Sequence, residues 1–179
     1  MSGRPGAGVT VEGVAGLKPV FRPDGRVTAG NCCPLNDGAA AVIVMSDVKA
    51  RELGITPLAR IVSTAVSALS PEIMGLGPVE SSRRALDRAG LTMDDIDLVE
   101  INEAFAAQVI PSYRDLGIDE DKLNVNGGAI AVGHPFGMTG ARIATTLLNS
   151  LQWHDKTLGL ETMCVGGGQG MAMVLERLS

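Results

Sequence analysis

The sequence is 179 residues long, 45% apolar and 20% charged, enough for one globular domain with a substantial core. A net charge of −5 and an aromatic content of 3% supply neither a basic surface nor a stacking platform, which argues against nucleic acid or anionic membrane as a partner. No run reaches the ~20 apolar residues that span a bilayer, and residues 1–8 lack the apolar segment of a secretory leader, so a cytoplasmic protein is expected.

Residues 1–30 are rich in Gly, Pro and charge and predict an extended entry segment, with residues 31–179 as the folded domain. A turn-rich loop follows, Asn31-Cys-Cys-Pro-Leu-Asn-Asp-Gly38. Adjacent cysteines rarely bridge each other because the geometry is strained, so Cys32 and Cys33 read as structural thiols. Residues 39–46 form a short run rich in β-branched residues that predicts a buried strand. Ser46 is a helix N-cap, and Gly54 ends that helix. Residues 57–67 predict a second strand. Pro78 suits the first turn of a helix that runs to Ala89 and stops at Gly90.

Thr92 and Asp95 have the spacing of a capping box, and residues 97–101 predict a third strand. A helix is expected from Glu103, placed to support the helix dipole, to about Leu116, with Pro111 kinking or breaking it. Residues 137–153 predict a helix with an apolar face at Ile143, Leu147, Leu148 and Leu151. His154 reads as its C-terminal cap and carries no chemistry. Strands at about 158–164 and 171–177 close the chain. Alternation of this kind predicts an α/β layered domain, and no internal repeat is present.

Two glycine-rich segments carry the chemistry. The first, Gly127-Gly-Ala-Ile-Ala-Val-Gly-His-Pro-Phe-Gly-Met-Thr-Gly-Ala-Arg142, contains His134. Proline after His134 holds it extended in a loop, and the helix that starts beside it favours a developing negative charge. The second, Met163-Cys-Val-Gly-Gly-Gly-Gln-Gly170, contains Cys164. Such a run cannot pack as an ordinary strand, and its N–H groups can form an anion-binding nest. The Cys164 thiol beside it is a nucleophile or a proton shuttle, and the sequence does not separate the two. Asn102, at a strand-to-helix junction, is either an N-cap or a holder of water or a substrate carbonyl. The three cysteines and two histidines have no metal-ligand spacing, so no metal is expected, and the cysteines do not form a secreted disulfide framework.

Three ordered motifs resemble the C-terminal half of thiolases, the acetyl-CoA acetyltransferases and 3-ketoacyl-CoA thiolases: Asn102-Glu-Ala-Phe105, the His134 segment and the Cys164 segment. Gly25-Arg-Val-Thr-Ala-Gly-Asn31 and Asn36-Asp-Gly-Ala-Ala40 fit the same pattern, so the resemblance covers almost the whole chain. It implies one half of the thiolase fold, a mixed β-sheet with helices on both faces. It also implies CoA-dependent cleavage of a β-ketoacyl-CoA, or the reverse Claisen condensation, with coenzyme A or acyl-CoA as substrate and no covalently bound cofactor.

By the same resemblance His134 would activate a nucleophilic cysteine and polarise the thioester oxygen, and Cys164 would exchange the α-proton. Asn102 would anchor a water in one oxyanion hole, and the Gly166 N–H would contribute to a second. The chain departs from the family twice. The acylated cysteine of thiolases lies in the N-terminal half, to which nothing here corresponds. A Ser or similar residue usually stands where this chain has Cys33, in a loop that touches the CoA pantetheine. The implied partners are therefore an acyl-CoA and either further copies of the chain or a chain that supplies the N-terminal half. The competing readings are a non-catalytic subunit or CoA-thioester-binding module, and an inactive truncated fragment. The composition of the tail, residues 160–174, resembles degradative more than biosynthetic thiolases.

Overall fold

The computed structural model describes residues 9–179; residues 1–8 of the predicted entry segment lie outside the described residues. The first described element is a short helix, α1 (Val11–Ala15), whose N-cap Thr10 accepts from the Gly13 N–H at 3.0 Å. Next come α2 (Asp47–Glu52), β1 (Ala59–Ala68) and, after a 3-10 turn at Pro71–Leu76, α3 (Gly77–Ala89). Ser46 caps α2 as expected, accepting from the Lys49 N–H at 3.1 Å. Gly90 ends α3 in the left-handed conformation that glycine adopts without strain.

The rest of the chain supplies β2 (Leu98–Ile101), α4 (Ala106–Leu116), the single turn α5 (Ala129–Val132), the long α6 (Phe136–Trp153), β3 (Leu158–Val165) and β4 (Gln169–Arg177). The strands form one mixed sheet in the order β1-β4-β3-β2. β4 runs antiparallel to both β1 and β3, while β2 and β3 are parallel. Parallel β2 and β3 require a crossover connection, which α6 completes.

Helices cover both faces, as the sequence predicts. On one face Ala85 and Leu86 of α3 pack with Val99, Ile101, Leu160 and Val174. On the other, Leu147 and Leu151 of α6 pack with Leu98 and Leu175. Leu147 is completely buried, and a Cβ on Gly159 of β3 would lie 2.8 Å from its methyl carbons. Leu147→Ala is therefore expected to destabilise the fold by about 2–5 kcal/mol, read as a lower urea midpoint at unchanged slope.

Four sequence expectations need correction. The entry segment predicted as extended carries the helix α1 at Val11–Ala15. Residues 39–46 form no regular element and pair with no described strand, and Ile43 and Val44 are exposed, not buried. The apolar pattern supplies the side chains of a strand, but a strand exists only through a neighbour's hydrogen bonds. The helix expected from Glu103 begins at Ala106 instead. Its first residues are drawn off into the 31–33 loop, where the Cys33 N–H donates to the Ala104 carbonyl and the Ala106 N–H to the Asn31 carbonyl. Finally, Pro111 lies inside an unbroken α4. The carbonyl it orphans belongs to Ala107, which is exposed and open to solvent.

Among the described residues no helix is long and apolar enough to cross a membrane, and no cluster of His, Cys, Asp or Glu could hold a metal ion.

Candidate active site

Because β2 and β3 are parallel, their carboxyl ends open on one edge of the sheet, the place where open α/β sheets bind ligands. Asn102 follows β2 there, its N–H donating to the Thr162 carbonyl at 3.0 Å, and Cys164 stands at the end of β3. The N-terminal end of α6 brings His134. Loop 31–38 fastens these pieces together. Cys32 bridges to Phe105, and the Asn36 amide donates to the Val132 carbonyl at 3.2 Å. Gly133 has φ +97, and a Cβ on it would run into the Asn36 side chain, so no other residue fits before His134.

The orientation of His134 follows from one hydrogen-bond chain. Its Nδ1 lies 2.5 Å from Thr139 Oγ1, and that hydroxyl donates its proton to the Pro135 carbonyl at 3.0 Å. A hydroxyl has one proton, and with that proton given to Pro135 Thr139 accepts from His134. Nδ1 therefore carries the ring proton of the neutral imidazole and Nε2 is the free base. Burial, together with the nearby Arg142 charge, lowers the His134 pKa from its usual 6.5 and keeps the ring neutral. Phe136 packs edge-on against the ring.

Cys164 is a free, buried thiol whose pKa is raised mainly by burial; a backbone hydrogen bond opposes the shift, and a charge on Cys33 would add to it. It is thus protonated at neutral pH. The Cys33 thiol is raised by burial and by Cys32. Gly166 begins the turn between β3 and β4, nothing lies within 4 Å of where its Cβ would be, and its carbonyl accepts from Gln169 Nε2 at 3.4 Å.

Asn102 is not an N-cap. Phe105 occupies that position, while the buried Asn102 accepts through Oδ1 from Arg142 Nη2 at 3.3 Å. Glu103 lies ahead of α4 and does not sit in its first turn either. Its carboxylate accepts from Asn124 Nδ2 at 2.9 Å and from the Ile130 N–H at 3.1 Å, which pins the glycine loop ahead of His134. His154 caps α6, as expected, and stands apart from the site. No hydrogen bond joins His134, Cys164 and Asn102 directly among the described residues; Arg142 contacts Asn102 and acts on His134 through its charge.

Sequence reasoning passed over Thr139 and Arg142, which sit in the His134 motif without an assigned task. It also passed over Glu100 and Glu161. Their signal was a charged residue inside each of two predicted strands, where burial of the strand makes a charge demand a partner. Beside the site, Phe21, Val27, Ile73, Leu76, Phe105 and Gln108 line an apolar cleft of about 420 Å³. The Gln108 amide is buried there without a hydrogen-bond partner among the described residues.

Comparison with known proteins gives a consistent result. A family model described as "Thiolase, C-terminal domain" matches residues 55–177, and one described as "Thiolase, N-terminal domain" matches residues 3–48, which corrects the expectation that nothing here corresponds to the N-terminal half. The chain is 55% identical over 175 residues to the acetyl-CoA acetyltransferase of Escherichia coli (strain K12), covering 98% of this chain and 44% of that protein. It is 58% identical over 173 residues to the 3-ketoacyl-CoA thiolase of Cronobacter sakazakii, covering 94% and 45%. The crystal structure of the Bacillus anthracis acetyl-CoA acetyltransferase superposes with a TM-score of 0.95 at 48% identity, over 98% of this chain and 44% of that one. Human mitochondrial 3-ketoacyl-CoA thiolase in complex with CoA superposes with a TM-score of 0.89 at 45% identity, over 96% and 43%. The chain thus spans about 44% of the length of the relatives it matches.

Proposed function

The chain belongs to the thiolase family, and on that premise we propose that it carries the proton-transfer groups of a thiolase active site whose nucleophilic cysteine comes from an N-terminal half. The observation that supports this most is a neutral imidazole, its Nε2 freed by Thr139, and a protonated Cys164 thiol brought to the same end of the sheet.

In this reading the reaction is thiolysis of a β-ketoacyl-CoA, or its reversal. His134 Nε2 takes the proton of the nucleophilic thiol, whose sulfur attacks the keto carbon. The bond between that carbon and the α-carbon breaks, and its electron pair leaves on acetyl-CoA as an enolate. Cys164 gives its proton to that α-carbon. Asn102 Nδ2 holds a water against the thioester oxygen, and the Gly166 N–H stabilises the tetrahedral oxyanion. The thiol of free CoA gives its proton to the Cys164 thiolate and attacks the acyl group, and the expelled nucleophile thiolate takes its proton back from His134, which returns every group to its starting state. The cleft beside Phe105 takes the acyl chain or pantetheine, with Cys33 on the neighbouring loop in contact with the CoA arm.

Residues 31–179 form the catalytic unit and residues 1–30 the segment entering it, in a cytoplasmic setting. The exposed apolar side chains of Leu35, Ile43 and Val44 support association with the rest of a thiolase fold, from another chain or segment, and through it an oligomer. The test is the intact mass of the reduced chain after incubation with a short β-ketoacyl-CoA. The expected result is no adduct on the 179 residues alone and, after addition of an N-terminal thiolase half, a hydroxylamine-labile acyl group on that half only. An acyl group on Cys32, Cys33 or Cys164 would overturn the division of labour.

A further inference from the structure

Glu100 of β2 and Glu161 of β3 are register partners in the parallel pair, so they stand about one strand spacing, ~4.8 Å, apart. Both are buried, at 1% and 7% exposure. They share the α6 face, where Leu98, two residues before Glu100, meets Leu147. The cation of this layer is Arg142 of α6, its Nη1 3.7 Å from Glu100 Oε2. The other charged or titratable groups nearby are Glu103 from the loop after β2, satisfied by Asn124 and Ile130, and neutral His134 from the loop before α6. Across from Glu161, β4 offers uncharged Met173.

Both Glu100 oxygens and Glu161 Oε2 lack hydrogen-bond partners among the described residues. Two carboxylates held side by side in a buried layer, facing one guanidinium, cannot both stay ionised. The same guanidinium donates through Nη2 to Asn102 Oδ1. That fixes the amide: its acceptor end is taken, and Nδ2, buried and without a partner among the described residues, is left as the donor.

We propose that Glu100 and Glu161 form a carboxyl pair that retains a proton at neutral pH and, through Arg142, sets which end of the Asn102 amide is offered to the substrate. Glu100, Glu161 and Arg142 are positioning residues. The assignment rests on the thiolase reading only in making Asn102 a substrate-facing group.

Burial raises both carboxyls from 4.5 to about 8. Arg142 opposes the shift at both, while Glu103 adds to it at Glu100 and Glu100 adds to it at Glu161. The native state therefore holds a proton that the unfolded chain has released. The stabilisation is full below the unfolded value and is lost as pH rises through about 8. Loss of that proton adds a negative charge beside Arg142 and draws the guanidinium from Asn102 to the carboxylates.

The test follows the Asn102 side-chain amide by NMR in the complete 179-residue chain across the range in which the pair titrates. In wild type its resonances are expected to shift with a midpoint near pH 8. In the double variant Glu100→Gln/Glu161→Gln no carboxyl of the pair is left to titrate and the shift disappears. Glu100→Gln alone removes the charge that adds to the Glu161 shift, so the midpoint falls, and it guards against misfolding of the double variant. A flat wild-type titration, or one unchanged in a folded variant, overturns the proposal. If neither variant folds, the infrared C=O band of a protonated carboxyl in wild type at pH 7 decides, its absence being the overturning result. None of these readouts needs turnover, so failure of thiolysis in the assembled protein would count against the functional reading alone.

Discussion

His134→Ala, in the protein assembled with its nucleophile-bearing half, is expected to lower kcat/KM for thiolysis by about 10²–10⁴-fold, the usual contribution of one positioned general base. The fold should survive, because His134 sits in a loop ahead of α6 and belongs to neither hydrophobic cluster. Thr139 refines the prediction. It is fully buried and holds Nδ1, so Thr139→Val removes the acceptor that fixes the tautomer, whereas Thr139→Ser restores it. The expected order of rates is wild type close to T139S, then T139V, then H134A. Cys164→Ala should likewise stop α-proton exchange with solvent while its circular dichroism stays native. Steady-state kinetics in a coupled CoA-release assay checks the series. Full turnover in His134→Ala would remove the histidine from the mechanism, and a T139V rate equal to wild type would remove the tautomer argument.

Gly170→Ala is expected to be the most disruptive small substitution in the sheet. A Cβ there would meet the Gly77 backbone, and a Cβ on Gly77 would meet the backbone of Gln169 and Gly170. The first turn of α3 is thus pressed directly onto β4, where Ser67 and Ser81 hydroxyls both donate to the Gly77 carbonyl, at 3.1 and 3.0 Å. Backbone on each side leaves no flexible side chain to give way. The helix must move off the sheet, at a cost of about 3 kcal/mol or more, the upper end for overpacking. In a chain of this size that lowers Tm by roughly 6–12 °C. Gly166→Ala is the control, since nothing lies within 4 Å of its Cβ and its φ is not in the left-handed region. Calorimetry of the two variants decides. Equal melting temperatures would mean that α3 is not seated on β4 as described.

Local signals account for much of the fold. Ser46, Gly90 and the Thr92–Asp95 box mark element ends because each satisfies backbone groups within a few residues of itself. The apolar spacing of Ile143, Leu147 and Leu151 sets the buried face of α6 for the same reason. The motifs around His134 and Cys164 were legible because glycine-rich runs around a histidine and a thiol are too unusual to arise from packing alone.

What failed in the sequence reading was whatever depended on a distant neighbour. Residues 39–46 look like a buried strand, but no described strand lies alongside them. Asn102 and Glu103 look like helix-start residues, but Arg142, Asn124 and Ile130 claim their side chains across the fold. Glu100 and Glu161 gain their meaning only from the parallel register that sets them side by side under one guanidinium. The sequence by itself determined α2, α3 and α6 with their caps, the family and the chemical groups at hand. The tertiary structure alone decided the partners, tautomer and protonation of those groups. Caps and periodicity are set by interactions a few residues long, whereas a buried charge or an imidazole takes its state from whatever the whole fold brings within hydrogen-bonding reach.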